Sequence, residues 1–288
     1  MATMNDDGIS IKGCSLIYAP RGQAGEYAPL ATNPYRGCGH QCRYCYVPQV
    51  LRMDRKEFDA GAIARPDFLS KITKEASKYQ AEGITEQVML SFTTDPYHPG
   101  DTSLTRDVLE VLQKSGLGIC TLTKGGARAL RDLDLFRPEH DAFASTLTSL
   151  DDAFSHKWEA GAAPASERVR TLRRFYDAGI FTWVSLEPTL DIDASLAIVR
   201  TTHSFVDLYK VGRVNYLPMT KTTDWRGYTL RMIDLLSHLS KAHYIKQDLQ
   251  PYLPTEYHNP LRVAQYHATT EMLSADRARS SMGQLSLV

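Results

Sequence analysis

Cysteine is scarce in this chain, with five in 288 residues. They are unevenly placed, and a disulfide-stapled scaffold is thereby excluded. A surplus of charge is lacking as well: 33 basic residues balance 33 acidic ones, for a formal net charge of zero. A broad, sequence-independent pull on nucleic acid is therefore absent, although a local basic surface remains open. No apolar run approaches the roughly 18 residues of a membrane span, so no membrane association is expected. The start, Met1-Ala-Thr-Met-Asn-Asp-Asp7, has neither the basic beginning nor the apolar stretch of a secretory signal. Repeats, low-complexity tracts and domain-separating linkers are missing too. That points to one domain over 1–288, with a core of about 27–242 and short extensions at 1–26 and 243–288.

What is present is concentrated in one loop. Cys38, Cys42 and Cys45 stand in the spacing C-x3-C-x2-C within Asn33-Pro-Tyr-Arg-Gly-Cys-Gly-His-Gln-Cys-Arg-Tyr-Cys-Tyr46. An iron–sulfur cube normally takes four protein thiolates. Three from a single short loop leave one iron free to chelate a small molecule. A Cys3His zinc site using His40 competes with this reading, but structural zinc usually pairs two ligands with two more farther along the chain. The remaining cysteines, Cys14 and Cys120, have no CxxC partner to supply them.

This loop resembles that of the radical S-adenosylmethionine (SAM) superfamily. The resemblance implies a [4Fe–4S] cluster on Cys38, Cys42 and Cys45, with SAM chelated at the open iron. It implies reductive cleavage of SAM to methionine and a 5′-deoxyadenosyl radical, which removes hydrogen from a substrate. Tyr44 would pack beside the adenine of SAM. The chemistry calls for an electron donor such as a flavodoxin or ferredoxin, and for a reducing, cytoplasmic setting.

From residue 88 onward, strand-like runs alternate with helical ones. Strands are expected at 88–93, 118–123, 142–148, 180–186 and 206–211, with another just before Cys38. Helices are expected at 103–115, 127–136, 166–178, 194–203 and 224–242. Ser166 would cap the third. Met232, Ile233, Leu235, Leu236 and Leu239 would be buried on the last. Six β units joined by helices predict an α/β fold with a parallel sheet, matching the partial (β/α)6 TIM-like barrel that the resemblance implies. The small, polar tail after Ser274 is expected to fray.

In parallel barrels the chemistry gathers at the C-terminal ends of the strands. Those ends carry Thr93, Thr94 and Asp95, then Lys124, Ser145, Ser185 with Glu187, and Lys210 to Arg213. A lysine beside hydroxyls suits the SAM carboxylate, and Asp95 or Glu187 suits its ammonium or ribose. Each can equally be a structural strand end, Asp95 as a turn residue before Pro96.

The motif, with Thr-Asp-Pro-Tyr after the second strand and lysine after the third, looks like the spore photoproduct lyase-like group over roughly Tyr27 to Gly212. That likeness implies SAM contacts from Thr94, Lys124 and Ser145, and a hydrogen-atom relay through Tyr44 and Tyr46. The lyase's hydrogen-donating cysteine has no counterpart in Ser91-Phe92-Thr93. Cys120 fits a small buried core residue better. Residues 17–31 also resemble uncharacterised lyase-like proteins of bacteria and phages.

For the substrate, Lys210, Arg213, Lys221, Arg226 and Arg231 face one acid, Asp224, with Tyr209, Tyr216, Trp225 and Tyr228 interleaved. Of these, Lys210, Arg213, Tyr216 and Arg226 are the candidate contacts to a phosphate backbone and an extruded base. Trp225 and Tyr228 can also be helix core. Arg168, Arg170, Arg173 and Arg174 are expected on the outer face of a crossover helix. The leading expectation is a radical SAM enzyme of lyase, isomerase or base-modification type acting on DNA or a nucleotide. Modification of a peptide or small metabolite, and a non-catalytic zinc-stabilised binding protein, are the alternatives.

Overall fold

The computed structural model describes residues 2–5, 8–138 and 140–255. Seven parallel strands lie side by side in chain order. They are β1 (Leu30–Thr32), β2 (Gln87–Leu90), β3 (Gly118–Thr123), β4 (Ala142–Thr146), β5 (Phe181–Leu186), β6 (Leu208–Val211) and β7 (Ala242–Ile245). β1 and β7 are edges that do not pair with each other, so the barrel is partial and open. The longer α-helices are α1 (Phe68–Ala81), α2 (Ser103–Lys114), α3 (Ala165–Asp177), α4 (Ile192–Thr202) and α5 (Trp225–His238).

Strand side chains alternate between two apolar layers, as the period of two requires. Inside the barrel, Met89, Cys120, Ala142, Ala144, Phe181, Trp183 and Leu208 form one buried cluster. The small side chains of β3 and β4 leave the volume that Phe181 and Trp183 fill. On the other side, Leu90, Ile119, Phe143, Val184 and Val211 pack toward the helices. Phe143 stacks on Phe175 of α3 with ring centroids 3.7 Å apart.

Several local expectations are corrected. The segment Gly126–Leu135 is a 3-10 helix, because its buried residues Gly126, Ala129, Asp132 and Leu135 recur every third position. Ser166 does not cap α3, which starts after Pro164 without a side-chain cap. Instead Asp152 accepts hydrogen bonds from the Ser166 amide (2.8 Å) and hydroxyl (2.7 Å). Arg168 is buried at 1% exposure while Arg170, Arg173 and Arg174 are exposed. On α5, Trp225, Tyr228, Met232 and Leu236 are buried, and Ile233, Leu235 and Leu239 only partly so. α5 also ends earlier than expected, and the chain then turns into β7, a seventh strand where the periodicity had shown none.

The N-terminal stretch crosses the open side of the barrel. Tyr18 bridges Ala31 of β1, and the chain then runs through Gly22–Glu26 toward the other edge. There the Glu26 carboxylate accepts from the Tyr244 hydroxyl (2.9 Å) and the Gln247 amide (2.7 Å). This strap thus ties the two edge strands across a gap the sheet leaves unpaired. The tail expected to fray after Ser274 lies outside the described residues.

Candidate active site

The C-terminal ends of the strands open on a cavity of about 350 Å³. Cys38, Cys42 and Cys45 line one wall of it. Their loop turns tightly because Gly37 adopts φ +85°, and a Cβ there would sit 2.3 Å from the Gly61 carbonyl oxygen. The Cys38 amide donates to the Phe58 carbonyl (2.8 Å) and the Arg43 amide to that of Trp158 (2.8 Å). Arg55 donates to the Cys42 carbonyl at 2.6 Å. Burial first, and then the Asp95 charge, push the Cys38 thiol up to about 11. Burial raises Cys42 and Cys45 as well. Without a ligand the trio is therefore protonated, and loading a metal centre displaces those protons.

Behind the thiols lies Asp95. Its Oδ1 accepts from the Tyr97 amide (2.9 Å) and the Thr123 hydroxyl (2.5 Å). Its Oδ2 accepts from the Lys124 amide (2.7 Å) and faces His40 Nδ1 at 3.3 Å. Burial alone would raise this carboxyl. His40, the Lys124 cation and the Thr123 hydroxyl more than offset that and hold it well below the usual carboxylate range. Arg128 can only donate, and its guanidinium lies 3.0 Å from His40 Nε2. That nitrogen therefore accepts, and the ring proton sits on Nδ1, toward Asp95. Both His40 nitrogens thus face groups other than the thiols.

A second buried group braces the same wall. The Tyr44 hydroxyl donates to Glu159, whose other oxygen pairs with Arg168 at 2.6 Å. Arg168 also donates to the Ala163 carbonyl (2.7 Å) and the Thr146 carbonyl (3.2 Å). Lys124 lines the cavity between these groups. Burial would lower its pKa, but the neighbouring acidic groups, the Glu159 and Asp95 carboxylates among them, keep it raised and charged. Among the described residues no acceptor lies within hydrogen-bond reach of its ammonium.

The opposite wall comes from β5 to β7 and the strap. Glu187 Oε2 accepts from both the Tyr27 hydroxyl and the Lys246 ammonium. Lys246 Nζ also lies 4.3 Å from the centroid of the Tyr27 ring and 3.7 Å from Glu26. At the rim, Tyr46 (45% exposed) and Tyr216 (76%) face each other with ring centroids 6.2 Å apart. Arg213 lines the cavity beside them, and its Nη1 donates to the Tyr252 hydroxyl at 3.0 Å.

Residues 32–191 match the family model of the radical SAM superfamily, more than half of the chain and including the whole cysteine loop. The chain belongs to the radical SAM superfamily. Among curated proteins it is 25% identical to the uncharacterised protein ORF301 of Acidianus two-tailed virus over 62% of this chain and 62% of that one. It is 27% identical to the uncharacterised Mycobacterium tuberculosis protein Rv2578c over 55% of this chain and 48% of that one. The chain thus spans between about half and two thirds of the length of these relatives. Among solved structures, spore photoproduct lyase, as a mutant with dinucleoside spore photoproduct, aligns at TM-score 0.61 and 13% identity, covering 80% of this chain and 78% of that one. Streptococcus suis SuiB bound to S-adenosylmethionine aligns at 0.60 and 10%, covering 78% and 52%. These two likenesses concern the fold.

Radical SAM proteins carry a [4Fe–4S] cluster and SAM, and the residues present fit both. The donor set is three soft thiols on one cavity wall, which suits an iron–sulfur cluster. The fourth ligand a zinc site would need is not offered by His40, whose nitrogens face Arg128 and Asp95. The cavity continues past the thiols to the unpaired Lys124 ammonium.

Of the expected cofactor contacts, Thr94, Asp95, Lys124 and Glu187 line the cavity. Thr94 and Asp95 are already engaged there, Thr94 donating to the Gly37 carbonyl at 2.7 Å. A carboxylate has about four acceptor sites, and Asp95 has none left for a ligand. Ser145 is not brought to the cavity. Alternation along β4 turns it outward, where its hydroxyl donates to the Thr123 carbonyl at 2.9 Å, and Thr146 lines the cavity in its place. Of the expected substrate contacts, Arg213 and Tyr216 line the cavity. Lys210 does not: it points into the barrel beneath, donating to the Glu26 (2.9 Å) and Tyr27 (2.7 Å) carbonyls. Arg226 is not among the lining residues and reaches the Tyr252 carbonyl at 3.4 Å. Trp225 and Tyr228 are core, the Tyr228 hydroxyl lying within 2.9 Å of Thr189 and 3.0 Å of Ser195.

Sequence reasoning missed Tyr27, Lys246, Glu159 and Arg168. The carboxylate–arginine pair joins a loop to a crossover helix, and Lys246 follows a four-residue strand with no signal of its own. No pattern of spacing announces either.

Proposed function

We propose that this protein is a radical SAM enzyme acting on a nucleobase, in DNA or as a nucleotide, by hydrogen abstraction followed by lysis or rearrangement. When bound on Cys38, Cys42 and Cys45, the cluster supplies the electron that splits SAM into methionine and a 5′-deoxyadenosyl radical. The protein's own part is to bind, orient and exclude water. The Lys124 ammonium, charged and lacking an acceptor, takes the SAM carboxylate. Glu187 Oε1, opposite the oxygen held by Tyr27 and Lys246, accepts from the SAM ammonium or ribose. Asp95, His40 and Arg128 keep the thiol loop rigid without touching ligand, and Met89, Phe92 and Leu122 keep solvent from the reacting centre.

The observation that carries the substrate assignment is the rim. Two exposed tyrosines 6.2 Å apart at the mouth of the cavity, with Arg213 beside them, suit a flat ring and a nearby phosphate. Tyr46 keeps its hydroxyl free for a hydrogen-atom relay, whereas Tyr44 donates its proton to Glu159. Among the described lining residues the loop trio supplies the only thiols, which supports a reaction other than that of spore photoproduct lyase.

The test is oligonucleotide binding and product analysis under anaerobic conditions. Tyr216→Ala is expected to weaken binding by about 1–3 kcal/mol, and Arg213→Ala to reduce its salt dependence. Deuterium from a labelled base should appear in 5′-deoxyadenosine. Unchanged affinity in both variants, with label transferred only from a peptide or small metabolite, would sink the nucleobase assignment.

A further inference from the structure

On the outer side of the thiol loop lies a groove of about 440 Å³ that the cavity chemistry leaves unused. It is built on a two-stranded ribbon, Tyr35–Arg36 against Ile63–Ala64, in which Arg36 sits directly across from Ile63. Ile63 is 76% exposed, the largest exposure of an aliphatic side chain among the exposed large hydrophobics. Around it stand Arg36, Arg65 and Lys71, against one acid, Glu57. Among the described residues no carboxylate lies within ion-pair distance of Arg36 or Arg65. Lys71 has only a long, solvent-exposed partner, Asp67 at 3.7 Å. An exposed isoleucine ringed by three bases, two of them without a carboxylate partner, is unusual on a chain with zero net charge.

Its position gives it meaning. Arg36 leads straight into Gly37 and the ligand Cys38. Gly61, on the groove floor, approaches Gly37 so closely that a Cβ would not fit between them. Phe58, three residues earlier, lines the cavity and accepts from the Cys38 amide. One thin stretch of backbone therefore separates groove from thiols. Reductive cleavage of SAM requires an electron from outside for each event, and the cavity mouth is where substrate must enter.

We propose that this groove docks the reduced electron carrier, a protein with an acidic face around an apolar centre, of flavodoxin type. The bases steer and orient the acidic face, Ile63 supplies the desolvated contact, and the Gly61–Gly37–Cys38 backbone is the short path inward. One electron leaves the carrier, which is oxidised by one unit, and enters the cluster; no bond forms or breaks at the groove. The inference rests on the radical SAM assignment and is independent of the substrate.

The experiment uses the cluster-loaded full chain, with a reduced flavodoxin as probe. Ile63→Glu and the double variant Arg65→Glu/Lys71→Glu are each expected to weaken flavodoxin binding about tenfold or more, and the double variant to flatten its salt dependence. Flavodoxin-driven reduction should slow in proportion, while SAM cleavage driven by dithionite, which needs no docking, stays within about twofold of the unaltered protein. Flavodoxin affinity unchanged in both variants, or undetectable in the unaltered protein, would overturn the inference. So would loss of oligonucleotide binding with flavodoxin binding intact, which would assign the groove to nucleic acid. Failure of dithionite to support any cleavage would instead strike the radical SAM assignment on which the inference stands.

Discussion

The two walls of the cavity differ in what reaches the mouth. On the thiol wall the polar groups are paired with one another: Asp95 with Tyr97, Thr123, Lys124 and His40, and Glu159 with Tyr44 and Arg168. The facing wall has its own bonded trio, Tyr27, Glu187 and Lys246, and adds the exposed ring of Tyr216 at the mouth, beside an Arg213 already held by Tyr252 and Asp248. The family match over residues 32–191 takes in the first wall, while Tyr27, Arg213, Tyr216 and Lys246 lie outside it. A buried, hydrogen-bonded network holds one geometry, which suits a cofactor common to a superfamily.

The contrast can be broken most severely at the thiols. Cys42→Ala is expected to abolish both iron retention and 5′-deoxyadenosine formation; full production of 5′-deoxyadenosine by that variant would remove the cluster assignment. Next comes the buried pair beneath the loop. Glu159→Ala leaves Arg168 charged and unpaired in the interior, and should cost about 3–5 kcal/mol in denaturant unfolding. Glu159→Gln keeps an acceptor for Tyr44 and should cost less. Equal losses for the two would mean that the carboxylate charge facing Arg168, and not the acceptor offered to Tyr44, is what matters.

The third test concerns pH and the barrel beneath the far wall. Burial, only partly offset by Cys120, lowers Lys210 to about 7 from an ordinary value of 10.5. Between those values the unfolded chain holds a proton that the folded one lacks. Stability should therefore rise with pH from about 7 toward 10.5, by at most about 1.4 kcal/mol per unit from this group. Lys210→Met should remove that slope, so that the variant's unfolding free energy stays flat over this range while the parent's rises. An unaltered slope in the variant would show that Lys210 titrates normally. Smallest of all, Arg170→Ala, on the exposed face of α3 two residues from Arg168, is expected to change stability by less than about 0.5 kcal/mol.

The thiol wall was largely legible from the chain because its parts are contiguous. The three cysteines fall within eight residues, Thr94 and Asp95 follow β2 after a three-residue turn, and Lys124 follows β3 directly. Spacing alone places such residues at strand ends. Ser145 was misplaced by one position, since β4 is buried on both faces and its composition does not say which face lines the cavity. Lys210 was misplaced for the same reason: a lysine at a strand end suggests solvent, but alternation along β6 turns it into the barrel. Arg168 shows the converse case, where an arginine in a basic run finds a buried carboxylate 9 residues away in sequence and leaves the surface.

By itself the order of residues determined the parallel strand–helix alternation, the tight glycine bend and the trio of sulfur donors, because each depends on neighbours a few positions apart. Only the folded chain decided that Glu26 and Tyr27 meet Lys210 and Lys246, more than 180 residues away. An open barrel must be closed by whatever segment reaches across it. Which side chains meet in that gap is set by strand register and packing, and no local pattern encodes them.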